Sequence, residues 1–230
     1  MYRNQNIDAV ASNQLLRTSF TYMVFGLLVT FSIPAFLILT KSIAFINLIA
    51  RFYTPIIIAE FITVMVFSFR LYKTSLMGAR LMFFFYSFLN GLVFTVVGLA
   101  IGNLMVIGYS LLLTVVMFTV ISIYAYTTSE DLSNYGGYLR TGLITLIIMS
   151  VINVFWHAPM FYWAVTILGV VIFSALIAFD VNRIKNMSYQ IARGDNELIG
   201  KLGIMGALQL YLDFINLFIY ILRIFSGKKR

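Results

Sequence analysis

Five polar residues recur through one apolar stretch near the C-terminal end, "GALQLYLDFINLFIYILRIF" (206–225): Gln209, Asp213, Asn216, Tyr220 and Arg223. Their spacings of 4, 3, 4 and 3 put all five on one face of a helix. The stretch is long and apolar enough to cross a bilayer, where a charge costs about 2.5–3.5 kcal/mol on insertion scales. A helix ringed by lipid does not carry such a seam from end to end, so this face must meet protein or water. Gly203 and Gly206 at its start would let a neighbouring backbone approach closely. The plainer reading is interhelical glue, but glue draws on Ser, Thr, Asn and Gln, and an ionisable side chain at this depth points to function.

Two further acids sit in apolar runs: Asp180 in "LIAFDVNRI" and Glu60 in "PIIIAEFITVMVF". Asp180 and Asp213 flank the turn "GDNE" (194–197) at nearly equal distances. On antiparallel helices they would therefore reach the same height, toward the inner side. Two carboxylates in contact cannot both ionise cheaply, so one proton is shared and the pair senses protons. Protonated, it ties two helices together; ionised, it repels or turns to another cation. Its oxygens also suit a hard cation such as Ca²⁺. The alternative for Asp180 is an interfacial acid paired with Arg183. Glu60 and Arg223 share the outer side and have opposite charge, which makes them a candidate latch. These features together suggest a cation path with a pH-dependent gate.

The elements that must hold these residues are membrane spans. Of 230 residues, 61% are hydrophobic and 10% charged, too little polar surface for a soluble domain, in which about a quarter are charged. Spans fall at 19–40, 55–70, 81–102, 107–127, 139–156, 159–181 and 204–225, within a single transmembrane domain covering 1–230. The first 18 residues are polar, and the first apolar run, too long for a signal-peptide core, reads as an uncleaved span. "SIAFINLIARFY", bracketed by Lys41 and Arg51, fits an interfacial segment. Pro55 and Pro159 suit first turns, and Pro34 predicts a kink or an early end in the first span. The one long hydrophilic connection is 182–203.

The formal charge of +8 follows topology and lipid head groups, not nucleic acid. Ten Lys and Arg fall on the side of the N-terminus: Arg3, Arg17, Arg70, Lys73, Arg80, Arg140, Arg183, Lys185, Arg193 and Lys201. The opposite loops hold only Lys41 and Arg51, which places the N-terminus in the cytoplasm. With seven spans, the basic tail "GKKR" then lies outside, against the same rule; a re-entrant last segment would remove the conflict.

The absence of Cys excludes disulfides, thiolate metal sites and cysteine nucleophiles, and a single His, His157, excludes multi-histidine metal centres. His157 in the "WHAP" turn reads as interfacial. Gly98 and Gly102 read as helix packing, Asn90 and Asn153 as interhelical hydrogen-bonders, and Glu130 and Asp131 as cytoplasmic acids near the inner mouth. The last span has no internal Lys for a retinal Schiff base.

The last-span motif resembles the C-terminal signature of the Bax inhibitor-1 family, the transmembrane Bax inhibitor motif proteins. "YAYTTSEDLSNYGGYLRTGLITLIIMSVINVFW" (124–156) and "FSALIAFDVNRI" (173–184) are similar to further family regions, and the likeness, closest to bacterial members, covers essentially the whole chain. The resemblance implies an all-α integral membrane protein whose last of seven helices is enclosed by the other six, and a pH-sensitive calcium leak channel in place of an enzyme. It matches the family's paired aspartates to Asp180 and Asp213, its second-span acid to Glu60 and its late basic residue to Arg223. Arg70, in the less similar "SFRLYKTS", would compete for Asp180.

The resulting expectation is a gate of Asp180 and Asp213, with Glu60, Arg223 and Arg70 as latch residues and Gln209, Asn216 and Tyr220 lining the seam. No cofactor is expected; calcium is the permeant ion or a ligand of the two aspartates. The partners are then calcium, protons and the lipid bilayer, with no nucleic acid, and the chain is a monomer in the cell (inner) membrane. Three rival readings stand beside this. A proton-coupled cation transporter would use the same residues, although no inverted repeat is visible. An intramembrane aspartyl protease needs Tyr-Asp, Gly-x-Gly-Asp and Pro-Ala-Leu. Here Phe179 and Leu212 precede the two acids, and the Gly-Asp at 194–195 lies in a loop. The last is a regulatory membrane protein that transports nothing.

Overall fold

The computed structural model describes the backbone of residues 2–70, 73–156, 158–187 and 196–227, with side chains from 14 onward except at 154, 156 and 196. Among the described residues every regular element is helical: α1 (Tyr2–Leu39), α2 (Ile43–Arg51), α3 (Tyr53–Arg70), α4 (Leu76–Ile101), α5 (Leu104–Thr127), a 3-10 turn (Leu132–Tyr135), α6 (Gly136–Trp156), α7 (Pro159–Met187) and α8 (Asn196–Ser226). Seven of these are long and apolar enough to cross a membrane. In lipid every backbone polar group must be paired within its own element, which helices achieve and irregular chain does not. The protein is an all-α, multi-span membrane protein.

Local chemistry sets the helix ends. Ser75 caps α4, its hydroxyl accepting from the Gly78 amide at 3.1 Å. Gly102 ends α4 in the left-handed conformation (φ 64°), its amide donating to the Gly98 carbonyl. The Gly98–Gly102 pair thus reflects a C-cap at its second member and not helix packing there. Pro34 lies inside α1 without ending it, since the helix runs on to Leu39. Lys41 then closes α1 with a positive φ of 49°: Ser42 N donates to Leu37 O at 3.1 Å and Lys41 N to Ile38 O at 3.2 Å, the paired bonds of a Schellman motif.

The interfacial segment expected around 42–53 is the short helix α2. Ile49 is buried, whereas Ile43, Phe45 and Leu48 stay exposed. The hydrophilic connection is shorter than hydropathy indicates, because α7 continues to Met187 and α8 begins at Asn196. Hydropathy stops where apolar residues stop; helical hydrogen bonds do not. The "GDNE" turn overlaps 188–195, and its Gly194 and Asp195, like Arg193, His157 and the last three residues of "GKKR", lie outside the described residues. α8 is an unbroken helix of 31 residues, so a re-entrant last segment does not explain the basic tail.

The chain forms two compact units, residues 1–104 with 190–211 and residues 105–189 with 212–230. In the first, α1, α2 and α3 all pack on α4. Phe83 of α4 is fully buried and meets Tyr22 of α1 and Tyr211 edge-on, at 6.5 and 5.8 Å between ring centres. Gly203 approaches α1 as its sequence position suggests: a Cβ there would lie 2.6 Å from Thr18 Cγ2. In the second unit α6 packs on α7, and α7 also on the 3-10 turn. Of the seven apolar helices α8 is the most buried: 72% of its apolar window is buried, against 6% for α3. The polar seam is the reason, since a helix with that face cannot lie open to hydrocarbon.

Candidate functional site

Asp180 and Asp213 meet. Both belong to the second unit, Asp180 on the C-terminal half of α7 and Asp213 on α8, and their carboxyl groups are hydrogen-bonded to each other. They are only 8% and 6% exposed. A carboxylate has no donor, so this bond exists only when one of the two carries a proton. The geometry is that of two acids close enough for one proton to bridge them. The second oxygen of Asp213, Oδ2, has no hydrogen-bond partner. Arg183, one turn beyond Asp180, is the nearby cation that acts on it electrostatically.

The other seam residues of the unit are held by their own surroundings. Asn216 donates to the Leu212 carbonyl at 2.7 Å. Tyr220 is buried and stacks on Phe173 of α7 at 5.8 Å. Gly169, one turn earlier on α7, makes that fit: a Cβ there would lie 2.5 Å from the Tyr220 ring. The Arg223 guanidinium lies over the same ring, 4.9 Å from its centre, the range of a cation–π contact. Gln209, half-buried on the preceding turns of α8, belongs to the first unit.

The first unit holds a second buried polar group. Glu60 of α3, half-buried, is hydrogen-bonded by the Tyr86 and Asn90 side chains of α4. Asn90 Nδ2 also donates to the Tyr86 carbonyl at 3.3 Å, within its own helix. Beside it, the Tyr211 hydroxyl meets Thr30 Oγ1 at 2.6 Å, and Thr30 Oγ1 donates to the Ser87 carbonyl at 2.9 Å. Tyr86 and Tyr211 pack edge-on at 5.9 Å. Arg70 is the exposed last residue of α3. Glu60 and Arg223 belong to different units, as do Arg70 and Asp180.

Several residues of these sites give little signal in the sequence. Tyr86, Thr30 and Tyr211 are scattered through apolar runs, and residue type alone does not reveal partners 181 positions apart. Asn182 lies in what hydropathy reads as a loop. Glu130 and Asp131 are exposed: Glu130 accepts from the Tyr135 hydroxyl at 2.9 Å, and Asp131 caps the 3-10 turn through Ser133 N at 3.0 Å. The hydrogen bonds from Ser133, first its hydroxyl and then its amide, hold the Asp131 carboxyl below its ordinary range.

Buried polar atoms lacking partners are unevenly shared. Among the described residues the unpaired oxygens are Ser122 Oγ, Asn153 Oδ1, Ser174 Oγ and Asp213 Oδ2, all in the second unit. Such atoms cost free energy unless water or an ion reaches them. No group of three or more His, Cys, Asp or Glu that could hold a metal ion occurs among the described residues. The pair offers fewer ligands than the six to eight oxygens of a calcium cage.

A multi-span helical protein with a buried pair of carboxyl groups meeting between two of its spans is the class these features define. The chain belongs to the Bax inhibitor-1 family: the family described as "Inhibitor of apoptosis-promoting Bax1" matches it over residues 12–230. It is 38% identical over 178 residues to the inner membrane protein YbhL of Escherichia coli (strain K12), covering 77% of this chain and 76% of YbhL. It is 33% identical to a Rickettsia prowazekii protein over 228 residues, 99% of this chain and 94% of that one. A Borreliella burgdorferi protein is 33% identical over 229 residues, 97% of this chain and 95% of that one.

Proposed function

We propose that the protein is a calcium-permeable leak pathway whose conductance is set by the protonation of Asp180 and Asp213. The observation that carries this reading is the hydrogen bond between the two buried carboxyls, which requires a shared proton. With the proton in place, α7 and α8 are tied at this level. Without it, two negative charges face each other in a low-dielectric setting and must separate or admit a cation. The free oxygen of Asp213 is a ready ligand for that cation. Ser122, Asn153 and Ser174 of the same unit also carry buried oxygens without a hydrogen-bond partner, which water in an open state would satisfy. Charge distribution supports a cytoplasmic N-terminus, and the name of the relative YbhL supports placement in the inner membrane.

The test is calcium entry into dye-loaded proteoliposomes holding the purified protein, with equal pH on both sides and then with an imposed pH gradient. A leak equilibrates calcium in both cases at a rate set by pH. Accumulation beyond equilibrium, driven by the gradient, would replace the leak with a proton-coupled transporter. No calcium entry at any pH by folded, inserted protein would remove both.

A further inference from the structure

Two residues beyond Asp180, Asn182 is 1% exposed and uses every hydrogen-bonding position of its amide. Its Nδ2 donates to the carbonyls of Ala125 (3.4 Å) and Glu130 (3.2 Å). Its Oδ1 accepts from the Leu132 amide (3.1 Å) and from Asn186 Nδ2 (3.1 Å). The assignment of nitrogen and oxygen is unambiguous: backbone carbonyls only accept and a backbone amide only donates. Lys185 Nζ, one turn on, donates to the carbonyls of Tyr126 (2.8 Å) and Thr128 (2.9 Å), at the C-terminal end of α5 where helix carbonyls lack partners of their own. Asn186 also reaches Asp131 Oδ1 at 3.4 Å.

Asn182, Lys185 and Asn186 are spaced i, i+3, i+4 and so share one face of α7. Asp180, about 200° away around the helix, points the other way, toward Asp213. One face of the inner end of α7 is fastened to the connection between α5 and α6, and the opposite face carries half of the acid pair.

We propose that Asn182 is a positioning residue for the acid pair. With Lys185 and Asn186 it makes the inner end of α7 and residues 125–135 one rigid block, so that Asp180 is the stationary member of the pair and any opening is carried by elements outside this block. The inference rests on the proposed role of the pair as a gate. The charged groups acting on the pair within this unit are Arg183 on Asp180 and the two acids on each other. None of the three clamp residues is among them.

Amide hydrogen exchange on the wild-type protein in nanodiscs, at pH 6 and pH 8 and corrected for intrinsic rates, tests the block without any transport assay. The expected result is equal protection of 125–135 and 175–187 at both values while another span changes. A change in 175–187 as large as in any other span would overturn the proposal. In Asn182→Leu, exchange across 128–135 should rise about tenfold or more, because the Leu132 amide loses its acceptor. Lys185→Gln should do the same more weakly and serves if the first variant does not fold. In a flux assay either variant should move the pH of half-maximal calcium flux to lower values by about half a unit or more, because a loosened α7 lets the acids separate. An unchanged flux profile together with unchanged exchange would refute the positioning role. Absence of flux from every protein, wild type included, would refute the leak alone and leave the exchange result to decide the block.

Discussion

The carboxyl of Asp180 on α7 is hydrogen-bonded to that of Asp213 on α8, and the second oxygen of Asp213 has no partner. On the proposed reading, one proton decides whether α7 and α8 are joined or pushed apart at this level. The pair sits in a unit that also contains the unpaired oxygens of Ser122, Asn153 and Ser174. Joining is a matter of one bond, while separation leaves two charges in need of water or a cation. That asymmetry suits a gate better than a static strut.

Gly169 supports this region by leaving room for Tyr220. A methyl group there would lie 2.5 Å from the ring, which is itself stacked on Phe173. Gly169→Ala should destabilise the protein by about 1–3 kcal/mol through overpacking. The check is the thermal unfolding midpoint in detergent. An unchanged midpoint would mean that Tyr220 rotates away without cost.

The Thr30–Tyr211 bond spans α1 and α8 in the first unit and is fully buried. Tyr211→Phe keeps the ring packing against Phe83 and leaves Thr30 its bond to the Ser87 carbonyl. Its expected cost is therefore only about 0.5–1.5 kcal/mol. Tyr211→Ala removes the ring as well and should cost about 3–5 kcal/mol, as for a large aromatic in a core. Comparable losses in denaturant titrations of the two variants would contradict this ranking.

Lys41 holds a left-handed conformation that glycine adopts freely. Lys41→Gly should raise stability by about 0.5–1 kcal/mol, read as a higher unfolding midpoint. A lower midpoint would show that the lysine side chain contributes more than the backbone strain costs.

Asp131, outside the membrane spans, has its carboxyl held below the ordinary range by the Ser133 hydroxyl and amide. Its folded pKa lies below its unfolded one. Its contribution is therefore present above the unfolded value, about 3.9, and is lost as pH falls through the folded value. Protection of the Ser133 amide should drop at that acid edge in the wild type. Asp131→Asn retains a capping oxygen and should lose the acid edge. An edge that persists in the variant would assign it to another group.

The last helix is legible in the sequence because a 3-4 polar repeat on an apolar helix has one meaning in lipid, and α8 is indeed the most buried span. The meeting of Asp180 and Asp213 is legible because antiparallel helices mirror their residues about the turn. Asn182 is hidden because α7 outlasts its hydrophobic stretch and turns a supposed loop into a helical face. Of the two outcomes Pro34 allows, an early end does not occur, because a helix end depends on the residues after a proline as well as on the proline, and here Lys41 supplies the stop. The hydroxyl network of Thr30, Ser87 and Tyr211 gives no periodic signal, since each member lies on a different helix or serves through its backbone.

The central claim is tested most directly by the pH profile of calcium flux in proteoliposomes between about pH 5 and 8 for wild type, Asp180→Asn and Asp213→Asn. In either variant an amide can donate to the remaining carboxylate without a proton, so the bond survives while its titration is lost. The account predicts a wild-type flux that changes with pH and variant fluxes that do not. A variant that keeps the wild-type pH dependence, with its fold and insertion intact, would contradict the assignment of the gate to Asp180 and Asp213.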